Sequence, residues 1–476
     1  MHDALRLRHA AWSFFSSPVS AGSRRKRAPK RPPSIYRDAR TKLVRCFYRE
    51  MAIHFRPEIP DDRRASHLRD FNLELVRTSR YAPHQLIVRD PEDRLRGDDL
   101  IAAANSLAER DSDIVYATPN FVSEFKRAMA PIPRNQWHLE NTGQFDGQTS
   151  GEDVRAKEAW QVTTGSPSTV VAVLDDGVDI DHPALRGQMW RNPDVAAPDQ
   201  FGRDYWLDPS DSGFNDPRPK EFGEPFNDVL HNDIHGTACS GLVAANAPDG
   251  RALGVAPDCR ILAVKIFHGG FLASEERVAL AIQYAAGIAD VLSCSWSAGE
   301  STAIQQAIEA AASTGRNGKG CPVVCATGDD GGNKVAFPAN LNAAIAVGAS
   351  TDQGTLAGYS NFGEAITIVA PSHGGSRGVF TTDVSMPNRG FNPGSDDDGG
   401  ADGLYTNSFG GTSAAAAIAA GVAAVVLSRR PDLRADEVKM RLEQTADKIG
   451  DDYDGTGHSN LYGYGRVNAF AAIGNL

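Results

Sequence analysis

The chain has 476 residues, 41% of them hydrophobic and 23% charged, which is material for one large core and a second, smaller one. No run of about 18 apolar residues occurs, so no membrane-crossing helix is expected. The net charge of −11 is divided unevenly: residues 1–127 hold 25 Lys+Arg against 17 Asp+Glu, and residues 128–476 hold 24 against 43.

In chain order, residues 1–43 read as a disordered basic segment. Its densest cluster, Arg24, Arg25, Lys26, Arg27, Lys30 and Arg31, lies among Pro and Ser without interleaved aromatics, which argues against a nucleic-acid surface. The apolar patch before it, AAWSFFSSPVSAG, is too broken for an ordinary secretory signal, so the compartment stays open, with secretion or the cell envelope favoured. Residues 44–127 change character. A strand-like LIVRD (86–90), a helical DDLIAAANSLAER with Leu100, Ala104 and Leu107 near helical spacing, and a second strand in IVYATPNFVSEF make a small α+β module.

From 128 to 476 short apolar strands alternate with helical stretches: STVVAVLDDG, RILAVKIF, 275–289, DVLSCSW, 301–315, CPVVCATGDDGG, NAAIAVGAS and AITIVAP. This βαβ rhythm predicts an α/β fold, a parallel sheet with helices on both faces, and ligand sites at the carboxyl ends of its strands. SAAAAIAAGVAAVVLS (413–428) reads as a helix buried in that core, and RADEVKMRLEQTADKI as an amphipathic one. The six cysteines match no zinc spacing and are too sparse for a disulfide framework.

Three residues carry the chemistry. Asp175 ends the apolar run VVAVL, His235 opens the small-residue stretch HGTACSGLVAA, and Ser413 follows Gly410 and Gly411 at the start of the buried helix. Alone, each has a bland explanation: a turn former, a structural histidine, a helix N-cap. Together they supply what a serine nucleophile needs, an imidazole to take its proton and a carboxylate to hold the imidazole. The GxSxG elbow of other serine hydrolases is absent around Ser413.

In order along the chain, VVAVLDDGVDIDHPAL, HGTACSG, SCSW, FPAN and GGTSAAA resemble the subtilisin family over about residues 131–476. Asp176, SCSW, FNDPRP (214–219) and FTTD (380–383) are most similar to its kexin branch. The resemblance implies a serine endopeptidase with the triad Asp175, His235 and Ser413, acting on polypeptides with no cofactor in the chemistry. It implies that 293–296 is an edge strand pairing with substrate, so Ser293, Cys294, Ser295, Trp296, Ser297 and Glu300 are the expected substrate-binding residues. Glu300, the one acidic residue near that segment in sequence, points to a modest preference for basic side chains. YATPNFV resembles the end of an inhibitory propeptide, which makes 44–127 an intramolecular inhibitor in front of a 128–476 peptidase domain, with Lys126-Arg127 as a processing point. Structural calcium is implied too; the loop DDDGGAD (396–402) is a candidate, without the spacing of an EF-hand.

The sequence departs from the family in three places. Asp329 stands where an Asn side chain usually donates to the oxyanion, and an ionised carboxylate has no proton to donate. Either burial and neighbours such as Asp330 hold Asp329 protonated, or the oxyanion hole relies on the Ser413 backbone amide; one convertase branch with Asp at this position is active. The competing reading is an impaired relative that binds peptides. Ser297 replaces a Gly beside the cleft, and Ala417 replaces a Pro in the nucleophile helix.

Overall fold

The strands and helices group into two compact units, Met1–Met129 and Ala130–Leu476. The computed structural model describes residues 6–7, 12–16, 34–38, 44–47, 49–78, 84–123, 131–221, 232–385 and 389–474.

In the first unit, four antiparallel strands lie in the order Glu74–Thr78, Gln85–Arg89, Glu50–Phe55, Ile114–Pro119, with helices Asp61–Asp70 and Gly97–Arg110. Met51, Ile53 and Phe55 alternate along one strand and meet Leu100, Ala104 and Leu107 from the stripe of the longer helix. The expected disordered segment at 1–43 is corrected by strands Arg6–Leu7, Trp12–Ser16 and Ser34–Asp38, which join Val44–Phe47 and Val122–Ser123 in a second sheet. Composition misses them because WSFFS and SIYRD are strand-forming islands inside a polar background. The expected processing dipeptide Lys126-Arg127 lies outside the described residues.

The second unit is built on seven parallel strands in the order Gly202–Asp204, Arg260–Lys265, Val170–Asp175, Val291–Cys294, Val323–Ala326, Ala344–Ser350, Ile368–Pro371. Both faces are covered, which is why the strands read as continuous apolar runs rather than alternating ones. Val171 and Val173 enter one core with helices His235–Ala244 and Gly411–Arg429; Val170, Ala172 and Leu174 enter the other with helices Glu275–Ala286 and Thr302–Gly318. The Gly411–Arg429 helix is long and apolar enough to cross a membrane, but every residue from Ala414 to Leu427 is buried inside the unit. The Val170–Asp175 strand sits where the strand order reverses, the position at which doubly wound sheets open a crevice at their carboxyl edge.

Candidate active site

Asp175 is the last residue of its strand and 3% exposed. Its two carboxylate oxygens lie 2.9 and 3.0 Å from His235 Nδ1, and the Asp176 amide donates to Oδ1 at 2.8 Å. His235 is the first residue of its helix, which aims the imidazole back toward the strand end. Burial opposes a charge on the ring, but the adjacent Asp175 carboxylate more than offsets it and holds His235 well above the usual histidine range. Gly236 is required because a Cβ there would sit 2.3 Å from the Gly177 carbonyl and 2.8 Å from Asp175 Cβ. The HG and DDG motifs are thus the two sides of one close contact.

Asp176 has a role that the sequence does not reveal. Its carboxylate accepts from the backbone amides of Ile234 and His235, both at 2.9 Å, and of Gly236 at 2.7 Å, capping the His235 helix from a different part of the chain. Burial and the neighbouring Asp175 charge push its pKa up, against the pull of the His235 and Lys265 charges. The Phe409 ring packs edge-on to the imidazole at 5.4 Å. Cys239 Sγ lies 3.7 Å from His235 Nδ1, and burial pushes this thiol up, so it stays neutral beside the pair.

Ser413 is the third residue of the Gly411–Arg429 helix, with Gly410 as N-cap, so it is not a capping serine. It is partly exposed. Its Oγ donates to the Ser295 carbonyl at 3.0 Å, and Ser295 Oγ donates back to the Ser413 carbonyl at 3.0 Å. Cys239 neighbours Ser295 as well as His235, so Asp175, His235, Cys239, Ser295 and Ser413 lie in one region of the unit.

Asp329 follows the Val323–Ala326 strand and is exposed. Its Oδ1 accepts from the Thr412 amide at 2.7 Å, beside the nucleophile. A Cβ at Gly411, where φ is +73°, would lie 2.9 Å from Asp329 Oδ2, so glycine is needed on both counts. The expectation that burial holds Asp329 protonated is therefore corrected: the group faces solvent and acts as an acceptor. Asp330 is also exposed and takes its hydrogen bond from Asn361 Nδ2 at 3.2 Å.

The expected edge strand is corrected as well. Val291–Cys294 is internal, paired on both sides by Val170–Asp175 and Val323–Ala326, so Ser293 and Cys294 are buried and their side chains do not reach a substrate. Only beyond Cys294 does the chain leave the sheet. There Ser295 is engaged with Ser413, Trp296 is buried edge-on against Phe267 at 6.2 Å, and Ser297 and Glu300 are exposed. Ala417 is buried within the nucleophile helix.

The 396–402 loop does not fit calcium. Asp398 Oδ1 accepts from the Asn407 amide, Thr406 Oγ1 and Ser408 Oγ; Asp396 Oδ1 accepts from the Ala401 amide; Asp402 pairs with Arg251 at 2.7 Å. Among the described residues, the clusters of three ligand-bearing side chains are Asp175/His235/Cys239 and His67/Asp111/Asp113, and neither is the all-oxygen set that calcium takes.

A buried carboxylate bonded to an imidazole, and a partly exposed serine at the start of a core helix, lie at the carboxyl edge of a doubly wound parallel sheet, side-chain types of the kind a serine hydrolase uses. Residues 166–465 match the model of the subtilase family, and the chain belongs to that family, with its subtilisin-like fold. It is 34% identical over 430 residues to a calcium-dependent protease of Nostoc sp., covering 85% of this chain and 60% of that one. It is 27% identical over 366 residues to kexin of Saccharomyces cerevisiae, covering 72% and 39%. The chain thus spans less than two thirds of the length of each of these two relatives. A solved protease structure from Pseudoalteromonas arctica superposes with a TM-score of 0.56 at 26% identity, over 72% of this chain and 99% of that one.

Proposed function

We propose that the protein is a serine endopeptidase whose triad is Asp175, His235 and Ser413. The observation that carries this reading is the bonded Asp175–His235 pair in one region of the unit with the helix that presents Ser413. To react, the Ser413 hydroxyl leaves the Ser295 carbonyl and donates to His235 Nε2, which takes its proton as Oγ attacks the scissile carbonyl. Asp175 retains Nδ1–H in its hydrogen bond and stabilises the imidazolium, which then protonates the leaving amine. Water repeats the sequence to release the acyl group. The Ser413 N–H, in the first turn of its helix, faces the developing oxyanion with the positive end of the helix dipole, while the Thr412 amide is held by Asp329. Substrate backbone pairs with the segment from Ser295 to Ser297, where the chain has left the sheet, and Glu300 gives a modest preference for basic side chains.

We further propose that the N-terminal unit is an inhibitory propeptide released by self-processing near Lys126-Arg127. Its net charge of +8 against −19 for residues 128–476 supports association between them. The name of the Nostoc relative supports a structural calcium ion, for which no oxygen-only cluster of three ligand-bearing side chains occurs among the described residues and which takes no part in the steps above.

One observation favours a second reading, an impaired peptide binder: the Asp329 carboxylate stands exposed as an acceptor beside the nucleophile. A fluorophosphonate probe separates the two. An endopeptidase is labelled at Ser413 and an impaired binder is not.

A further inference from the structure

Lys265 is wholly buried, an expensive place for an ammonium unless every donor is matched. It ends the strand adjacent to that of Asp175, in register with it. Its Nζ donates to three acceptors: Asp233 Oδ2 at 2.5 Å, the Asp176 carbonyl at 2.5 Å and the Phe267 carbonyl at 2.6 Å. Asp233 is buried in turn. Its Oδ2 also accepts from the Lys220 amide and faces His268 Nδ1, each at 2.9 Å, and its Oδ1 accepts from the Gly269 amide at 3.0 Å. These contacts close a ring. The Asp176 carboxylate grips the amides of 234–236, residue 233 leads into that turn, the Asp233 carboxylate holds Lys265, and Lys265 holds the carbonyl of Asp176.

We infer that Lys265, through Asp233, is a positioning residue that sets His235 against Asp175. The ammonium fixes in one place the chain leaving the Asp175 strand and the chain entering the His235 helix. Nothing else among the contacts of this ring ties residue 233 to residue 176. Replacing a buried ion pair by apolar groups of similar volume is often neutral for stability, so retention of a fold does not require this pair. Its consequence lies in the imidazole–carboxylate geometry, where a displacement of about 1 Å costs on the order of 10²-fold in rate. This inference rests on the proposed triad.

The test uses the full chain and compares Lys265→Met with the double variant Lys265→Met/Asp233→Asn, which leaves no unpaired buried charge. Ser413-dependent peptide hydrolysis by the parent protein is measured first; its absence sinks the triad itself before any variant is compared. The double variant is expected to keep a cooperative melting transition and a KM within about twofold of the parent, with kcat lower by about 10²-fold. Lys265→Met is expected to lose at least as much activity. A double variant with parental kcat overturns the inference. So does a loss confined to KM, and so does loss of the melting transition in both variants, which would make the pair a structural element only.

Discussion

The two halves of the site are held in different ways. The Asp175–His235 half is fixed from several directions, by the three amides on Asp176, by Gly236 packed against Asp175, and by the buried Lys265–Asp233 pair. The Ser413–Asp329 half is open: the serine hydroxyl is turned to the Ser295 carbonyl, and Asp329 stands in solvent holding one amide of the nucleophile helix. The difference teaches that the imidazole–carboxylate pair is held in place by its surroundings, whereas the serine and Asp329 are bonded to other partners.

The largest effect belongs to the nucleophile. Ser413→Ala is expected to lower peptide hydrolysis on the order of 10⁶-fold and to leave the N-terminal unit attached. Mass spectrometry of the purified protein reads the second effect. Cleavage near residue 127 in Ser413→Ala, with no other protease present, would exclude self-processing.

On the preorganised side, Asp175→Asn is expected to reduce kcat by about 10⁴-fold. The same variant sharpens the comparison through pH. His235 is a base only when unprotonated, and the Asp175 charge holds its pKa well above 6.5, so wild-type kcat/KM should rise with pH and reach half its maximum above 6.5. Removing the charge lets burial dominate and moves that limb to lower pH. A limb that stays in place would show that Asp175 does not set the charge state of His235.

Asp329→Asn addresses the open half and is expected to raise kcat by about 10–10²-fold, because it puts an oxyanion donor where the carboxylate offers only acceptors. Superimposable profiles, or a loss at every pH, would place Asp329 outside the oxyanion hole.

The smallest effect separates chemistry from unfolding at low pH. His138 is completely buried, neither ring nitrogen has a hydrogen-bond partner, and burial lowers its pKa to about 3. The folded state therefore excludes a proton that the unfolded chain binds near pH 6.5. Its contribution is whole above that pH and declines by up to about 1.4 kcal/mol per pH unit as the pH falls toward 3. In a Ser413→Ala background, which prevents autolysis, His138→Met should flatten this slope in denaturant titrations at pH 7 and pH 5. An unchanged slope would assign acid lability to other groups.

What could be read from the sequence follows the same division. Asp175, His235 and Ser413 stand out in the sequence because each carries its own local pattern, and the parallel sheet was legible because strands covered on both faces are apolar throughout. Lys265 and its partners were not, since the ammonium's contacts lie 89 and 32 residues away and a lone lysine ending an apolar run has no periodicity to betray it. The internal position of Val291–Cys294 was hidden for a related reason: an apolar run shows burial and does not say on how many sides a strand is paired. The exposure of Asp329 was equally invisible, because ATGDDGG gives the turn and not the direction of its carboxylates.

The central claim is that His235, held by Asp175 and acting as a base in its neutral form, activates Ser413. The most direct measurement is the rate of fluorophosphonate labelling against pH, with peptide mapping of the adduct, in the wild-type protein and in Asp175→Asn. The account predicts a single adduct on Ser413, forming faster as the pH rises through the range above 6.5, and slowed by orders of magnitude in Asp175→Asn. No adduct, an adduct on another residue, or equal labelling rates in the two proteins would contradict it.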